Sequence, residues 1–301
     1  MMIGMPLLRG LLLATLALHA QDFADVKIER LSSNHKFTEG PVWTPDGKLL
    51  FTDIPPNLVY VWPPGHKPEV YRKDSGGANG LAFDNKGSLY LCEGRARRVT
   101  RIDKKGKVEV LLDSWQGKKL NAPNDIIVRR DGHVYFTDPA FGDQADKREL
   151  DFYGVFHINP KGEASLFAKP KGRPNGIALS PNGHILYVTN TDERKVYAYD
   201  LDNKTGAPSN ERVIVAQTDG PPDGMTVDEK GNLYVTCNGV SIYTPAGALI
   251  RKIEMTEPPT NCKFGEGDLQ TLFVTARTSV LRIRMPVKGS MQYAIGGNSQ
   301  P

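Results

Sequence analysis

Residues 120–142 read LNAPNDIIVRRDGHVYFTDPAFG, and in them Asn124 and Asp125 stand directly before the apolar run Ile126-Ile127-Val128. An amide and a carboxylate at the mouth of a buried strand lose water, which costs free energy unless a partner replaces it. The run ends in Arg130-Asp131-Gly132-His133, a tight-turn sequence, and a second strand follows in Val134-Tyr135-Phe136. The same sentence recurs through the chain. EGPVWTPDGKLLFTD begins at Glu39, NGLAFDNKGSLYLCE at Asn79, NGIALSPNGHILYVTN at Asn175, DGMTVDEKGNLYVTC at Asp223 and NCKFGEGDLQTLFVTA at Asn261. With the copy at Asn124, successive starts lie 40, 45, 51, 48 and 38 residues apart.

Each copy holds a polar residue, an apolar strand, a turn carrying Gly, Asn or Asp where positive φ is needed, and a second strand. Further short strands such as KVYAYD and VEVLLD follow, and no helical period appears. Six units of several strands each predict an all-β, six-bladed β-propeller. Residues 24–30, ADVKIER, are placed to add an outer strand to the last blade and close the ring. A sandwich pair or a β-helix would not explain a polar residue at one phase of six repeats.

The innermost strands of a propeller line its central channel, so Glu39, Asn79, Asn124, Asn175, Asp223 and Asn261 are expected at one height around the axis. All six offer oxygen, and none offers imidazole or thiolate. Oxygen-only sites suit hard cations, and Ca²⁺ tolerates irregular geometry better than Mg²⁺; zinc usually takes nitrogen or sulfur. The expected metal site in the channel is Glu39, Asn124, Asn175 and Asp223, two carboxylates balancing one divalent cation. Calcium is the first choice, with Mg²⁺ or Zn²⁺ as alternatives. Asn79 and Asn261 are equally well read as loop caps.

The composition agrees with a soluble globular chain: of 301 residues, 39% are hydrophobic and 24% charged, with enough Gly (30) and Pro (22) for many turns. A net charge of +4 without a long basic block gives no reason to expect a nucleic-acid partner. Residues 1–20, MMIGMPLLRGLLLATLALHA, read as a signal peptide cut after Ala20, with residues 21–301 the single propeller domain. That places the mature protein in the periplasm or outside the cell, without stable membrane association. Cys92, Cys237 and Cys262 show no zinc spacing and read as buried strand thiols, a disulfide between two of them being the other reading.

Several stretches together, EGPVW, LNAPNDIIV with GHVYFTDPAFG, RPNGIALSPNG, PPDGMTVD and TNCKF, resemble the senescence marker protein/gluconolactonase/luciferin-regenerating-enzyme family over residues 35–285, and within it the bacterial gluconolactonase-like branch. The resemblance implies a six-bladed propeller with one divalent ion in the channel, usually calcium, and a sugar lactone as substrate. It puts the family's metal-binding Glu, Asn and Asp on Glu39, Asn175 and Asp223, and its substrate-side Asn on Asn124. Animal members carry an Arg two residues before that Asn, where this chain has Ala122. That sugar contact is therefore not carried over.

A dication polarises an ester carbonyl and lowers the pKa of bound water, and a nearby carboxylate takes the proton. Asp223 is the expected base and Asp125 the second candidate, unless strand alternation turns Asp125 onto the backbone. Asn121 and Lys119 are candidates to meet substrate hydroxyls. The predicted activity is metal-dependent hydrolysis of a sugar lactone. Alternatives are a calcium-stabilised scaffold binding a partner or sugar acid, and a related aryl-esterase or organophosphate hydrolase. No G-x-S-x-G elbow or phosphate loop is present, and the six histidines show no metal spacing. His133 and His184 fall in hairpin turns and are expected to be exposed, and Trp43 to pack in the core. The segment FGDQADKRELDFYGVF (141–156) is expected to be a solvated loop, the other reading being a short helix or flap carrying Phe141, Arg148 or Tyr153.

Overall fold

The structure, a computed structural model, describes residues 26–295; the signal-peptide reading lies outside them. Within them are six four-stranded antiparallel sheets, five of them in chain order from the axis outward, and one two-stranded hairpin, Ser114–Trp115 with Lys118–Lys119. The inner strands are Thr38–Trp43, Ala78–Phe83, Ile126–Val128, Pro174–Leu179, Met225–Val227 and Asn261–Gly265, and each touches the next around a closed ring. This is the six-bladed propeller that the repeat predicts. The last blade takes its fourth strand from the front of the chain: Ile28–Ser32 pairs with Ser279–Arg284, Ile28 opposite Ile283 and Arg30 opposite Leu281. Hydrogen bonds between distant parts of the chain therefore close the circle.

The second strand of a blade is covered by both neighbouring sheets, so LLFTD, LYLCE and VYFTD are buried at every residue and lose the polar face of a half-exposed strand. Outer strands such as EVYRK (Glu69–Lys73) stay largely exposed. Aromatic stacking joins the last blade to the first: Trp43, 3% exposed, lies on Phe273 with ring centroids 5.4 Å apart.

A second tie runs through the threonine that ends most second strands. Thr52 Oγ1 donates to the Asn79 carbonyl (3.1 Å), Thr137 to Asn175 (2.7 Å), Thr189 to Asp223 (2.7 Å) and Thr236 to Thr260 (2.9 Å), each on the next blade. Thr260 donates onward to the Thr38 carbonyl at 2.8 Å, completing the circuit. Blade two has Cys92 at this place, and its Sγ takes the role weakly, 3.6 Å from the Asp125 carbonyl. All three cysteines are buried free thiols as expected, Cys92 and Cys262 within strands and Cys237 in the bend just after one.

One end of the channel is stoppered. Residues 288–293 run across it, with Ser290 N donating to the Val227 carbonyl, Gln292 to that of Ser180, and the Tyr293 hydroxyl to that of Trp43. They close a cavity of about 30 Å³ walled by inner-strand residues of every blade, among them Val42, Leu81, Ile127, Ala178, Thr226 and Lys263. Ligands reach the ring of polar residues from the opposite face.

The expectation of an exposed His133 is overturned. It is 3% exposed, because its turn packs under the Asp202–Gly206 turn of the next blade, and its Nδ1 lies 2.6 Å from His157 Nε2. Burial holds His157 down to about 4, so the pair stays neutral at physiological pH.

Thr137→Val keeps the side chain's shape but strips the Asn175 carbonyl of its donor and the Asp125 N–H of its acceptor. The unfolding free energy should fall by about 1–3 kcal/mol, read as a lower urea midpoint at unchanged slope. An unmoved midpoint would show that these ties do not hold the blades together.

Candidate active and metal site

The polar residues that open the inner strands come together because glycine follows most of them. A Cβ on Gly80 would lie 2.6 Å from Asp125 Oδ1, and one on Gly224 would lie 2.1 Å from Asn261 Cγ. Only a residue without a side chain lets neighbouring entrances close to this spacing. Gly80 N also donates to the Asn124 carbonyl (2.7 Å) and Gly176 N to that of Asp223 (3.1 Å).

Glu39 and Asp223 share the mouth of the channel from blades one and five. Glu39 is 3% exposed, its Oε2 accepts from Gly40 N at 3.1 Å, and the Asn261 side chain donates to it. Burial lifts its carboxyl well above the usual range, and the charges of Asp223 and then Asp125 add to the lift. Asp223 is also raised, by burial first and the Asp125 charge next, while a hydrogen bond from Asn175 and the charge of exposed Arg277 pull the other way. Asn175 spends its amide nitrogen on Asp223 and on Thr191 Oγ1 (3.1 Å), which leaves its carbonyl oxygen as the atom to offer.

These three residues fit a hard cation. Two carboxylates compete for one dehydrated space, with an amide oxygen beside them, and a divalent cation removes the repulsion that otherwise favours their protonated forms. Among the described residues no cluster of three His, Cys, Asp or Glu side chains offers a metal site, so a site here mixes carboxylate with amide oxygen.

The other candidates have separate places. Asp125 has both oxygens engaged, Oδ1 by Ile126 N (2.9 Å) and Oδ2 by Ile177 N (3.1 Å), and Lys263 is the nearest compensating charge against its burial. This is the backbone-bonding alternative: Asp125 is a strut between blades three and four, which removes it as a proton acceptor. Asn121 is 1% exposed and its amide donates to the carbonyls of Asp138 and Phe152, at 3.0 and 2.9 Å, so it braces a loop instead of meeting substrate. Asp138 in turn accepts from Asn121 N and Ala122 N, and burial pushes it up to about 7. Asn261, left between capping and liganding, links Glu39 to Asp125 and accepts from Cys262 N at 2.8 Å.

Asn124 and Asn79 face a cavity of about 370 Å³ on the open side, whose wall includes Ala122, Arg95 and Phe141. The Asn79 Oδ1 is buried there without a hydrogen-bond partner. Segment 141–156 is the short-helix reading after all: a 3₁₀ turn covers Gly142–Lys147, and Phe141 and Gln144 line the cavity. Arg148 and Tyr153 stack on each other, with 4.7 Å from guanidinium to ring centroid. Arg95, Arg277 and Lys263 were missed from sequence. Arg95 lines the cavity from a loop, Arg277 acts on Asp223 from another, and Lys263 sits on an inner strand beside Asp125, neighbours that only the closed ring supplies.

The model of the SMP-30/gluconolactonase/LRE-like region matches residues 37–278. A gluconolactonase of Zymomonas mobilis is 33% identical over 294 residues, covering 87% of this chain and 82% of its own. Pentonolactonase XacC of Haloferax volcanii is 30% identical over 247 residues, covering 79% of this chain and 80% of its own. A solved gluconolactonase from Xanthomonas campestris superposes with a TM-score of 0.82 at 31% identity, over 90% of this chain and 93% of that one. By its strand order, its ring of oxygen donors and these matches, the chain belongs to the SMP-30/gluconolactonase/LRE-like family.

Proposed function

We propose that the protein is a sugar-lactone hydrolase working at the open mouth of the propeller with one divalent cation, calcium in the first place. The observation that carries this reading is the meeting of buried Glu39 with half-buried Asp223 at the channel mouth, on the side of a roomy cavity lined by Asn79 and Asn124. The relatives named gluconolactonase and pentonolactonase support the substrate class.

A cation held by Glu39, Asn175 and Asp223 would polarise the lactone carbonyl and acidify a water molecule. The chain's own residues do the rest. Asp223 stands at the channel mouth, where a bound cation would keep its carboxylate ionised and placed to accept a proton from the attacking water. Asn124 and Asn79 orient the ring from the cavity wall, and Phe141 shields it from solvent on one side. Asp125, tied to two backbone N–H groups, keeps Asn124 in register. We further infer, from residues 1–20, that the chain is exported; no helix among the described residues is long and apolar enough to cross a membrane.

Purified protein should release acid from glucono-δ-lactone faster than buffer does, and both chelation and Asp223→Ala should abolish the excess by about 100-fold or more, the scale of a lost electrostatic and proton-accepting group. Hydrolysis indifferent to both would contradict the proposed chemistry.

Metal-free stability provides a second test. A carboxyl whose folded pKa is raised loses native-state stability as pH climbs from its unfolded value through the folded one. Asp223→Asn cannot ionise, so in EDTA its melting temperature should match wild type near pH 4 and exceed it increasingly towards pH 8. Asp125→Asn should melt lower than wild type throughout, because it sets an amide NH₂ against a backbone N–H and deprives Lys263 of its counterion. Calcium binding near pH 6 should release protons, measured by calorimetry in buffers of different ionisation enthalpy, and the release should fade at high pH.

A further inference from the structure

The stretch GRARR (94–98) carries three arginines with different fates. Arg98 Nε donates to the buried Glu93 at 2.6 Å. Arg97 donates to the Leu120 carbonyl at 2.6 Å and to Glu149 at 3.2 Å. Arg95 has no acidic partner among the described residues. It reaches only the carbonyls of Ile54 and Pro55 through Nη2, at 3.4 and 3.3 Å, distances too long for strong bonds. A guanidinium carries five N–H donors, so most of those of Arg95 are unspent.

This guanidinium lines the 370 Å³ cavity together with Asn79 and Asn124. The backbone on either side of Arg95 is tied down: Gly94 N donates to the Gly77 carbonyl at 3.0 Å and Ala96 N to that of Gly76 at 2.9 Å. Ala122 on the facing loop is small, and no acidic side chain lines the cavity. The cavity wall thus carries an exposed guanidinium with N–H groups that no protein acceptor takes and, in Asn79 Oδ1, a buried acceptor without a partner. A buried oxygen without a partner costs stability, and a ligand hydroxyl that donates to it removes that deficit, while the exposed guanidinium exchanges water for the same ligand. A vicinal diol is such a ligand, since each hydroxyl both donates and accepts.

We propose that Arg95 and Asn79 together form the subsite that grips ring hydroxyls of the lactone, Arg95 donating to one hydroxyl oxygen and Asn79 Oδ1 accepting from the next. The assignment rests on the sugar-lactone reading for its substrate class, but its geometry stands apart from the carboxylates. Selectivity for polyhydroxylated lactones over plain ones then originates in the loops of blade two. A site built to hydrogen-bond hydroxyls rejects an analogue lacking them far more strongly than an apolar pocket discriminates by size.

The test compares Arg95→Met, Arg95→Lys and Asn79→Ala with wild type on glucono-δ-lactone and on δ-valerolactone, which has no hydroxyls, and measures gluconate binding by calorimetry. Arg95→Met should raise KM for gluconolactone about 10-fold or more, with kcat and the kinetics of δ-valerolactone nearly unchanged. Arg95→Lys should recover part of the loss, and Asn79→Ala should weaken gluconate binding in the same direction. Equal effects on both lactones, or none on either, would overturn the assignment. If wild type hydrolyses neither lactone but binds gluconate in an Arg95-dependent way, the lactonase reading fails and the subsite stands. If wild type hydrolyses gluconolactone and Arg95→Met behaves identically, the subsite fails and the lactonase reading stands. Should wild type neither hydrolyse the lactones nor bind gluconate, the subsite is refuted as well.

Discussion

Two carboxylates crowded together at the mouth of the channel are the interaction on which this molecule turns. Glu39 and Asp223 come from strands 184 positions apart, and only the closing of the ring brings them together. In isolation the pair is a liability, since burial drives both towards their protonated forms and the Asp223 charge adds to the lift on Glu39. Such an arrangement survives when something else gains from it. A dication held between them would turn repulsion into affinity, and the Asp223 carboxylate that it keeps ionised would be placed to take a proton from water.

The scaffold supplies the rigidity that this pair requires. Threonine hydroxyls on the second strands of four blades tie each of these to the blade that follows it, and the first strand of the chain seals the last blade. Glycines behind the polar residues set the spacing, while Asp125 and Asn261 bind neighbouring entrances through side-chain hydrogen bonds. Residues 288–293 stopper the far end, so solvent and substrate share one entrance. A metal site built this way is held by the tertiary structure as a whole, and it leaves the surface loops free to select the substrate.

Much of this was legible in the sequence because a repeat converts one-dimensional phase into three-dimensional position. The turns and alternating strands gave the blades, and the common phase placed Glu39, Asn175, Asp223 and Asn124 around one axis. The threonines of FTD, VTN and VTC were equally visible, but their meaning required knowing which carbonyl lies across the blade gap. Orientation at a single residue was not legible. Asp125 and Asn121 are polar neighbours of Asn124, yet each is spent on backbone groups that become adjacent only after folding. His133 looked exposed because a turn next door in sequence says nothing about the turn of the adjoining blade that covers it. Arg95 escaped notice for the same reason: its cavity is assembled from loops of several blades.

The most direct measurement is a crystal structure of the mature protein grown with excess calcium, using the anomalous signal to locate the ion. The account predicts one peak on the propeller axis with oxygens of Glu39, Asn175 and Asp223 at about 2.3–2.6 Å. Density for an ion elsewhere, with Glu39 and Asp223 turned apart around water, would contradict it.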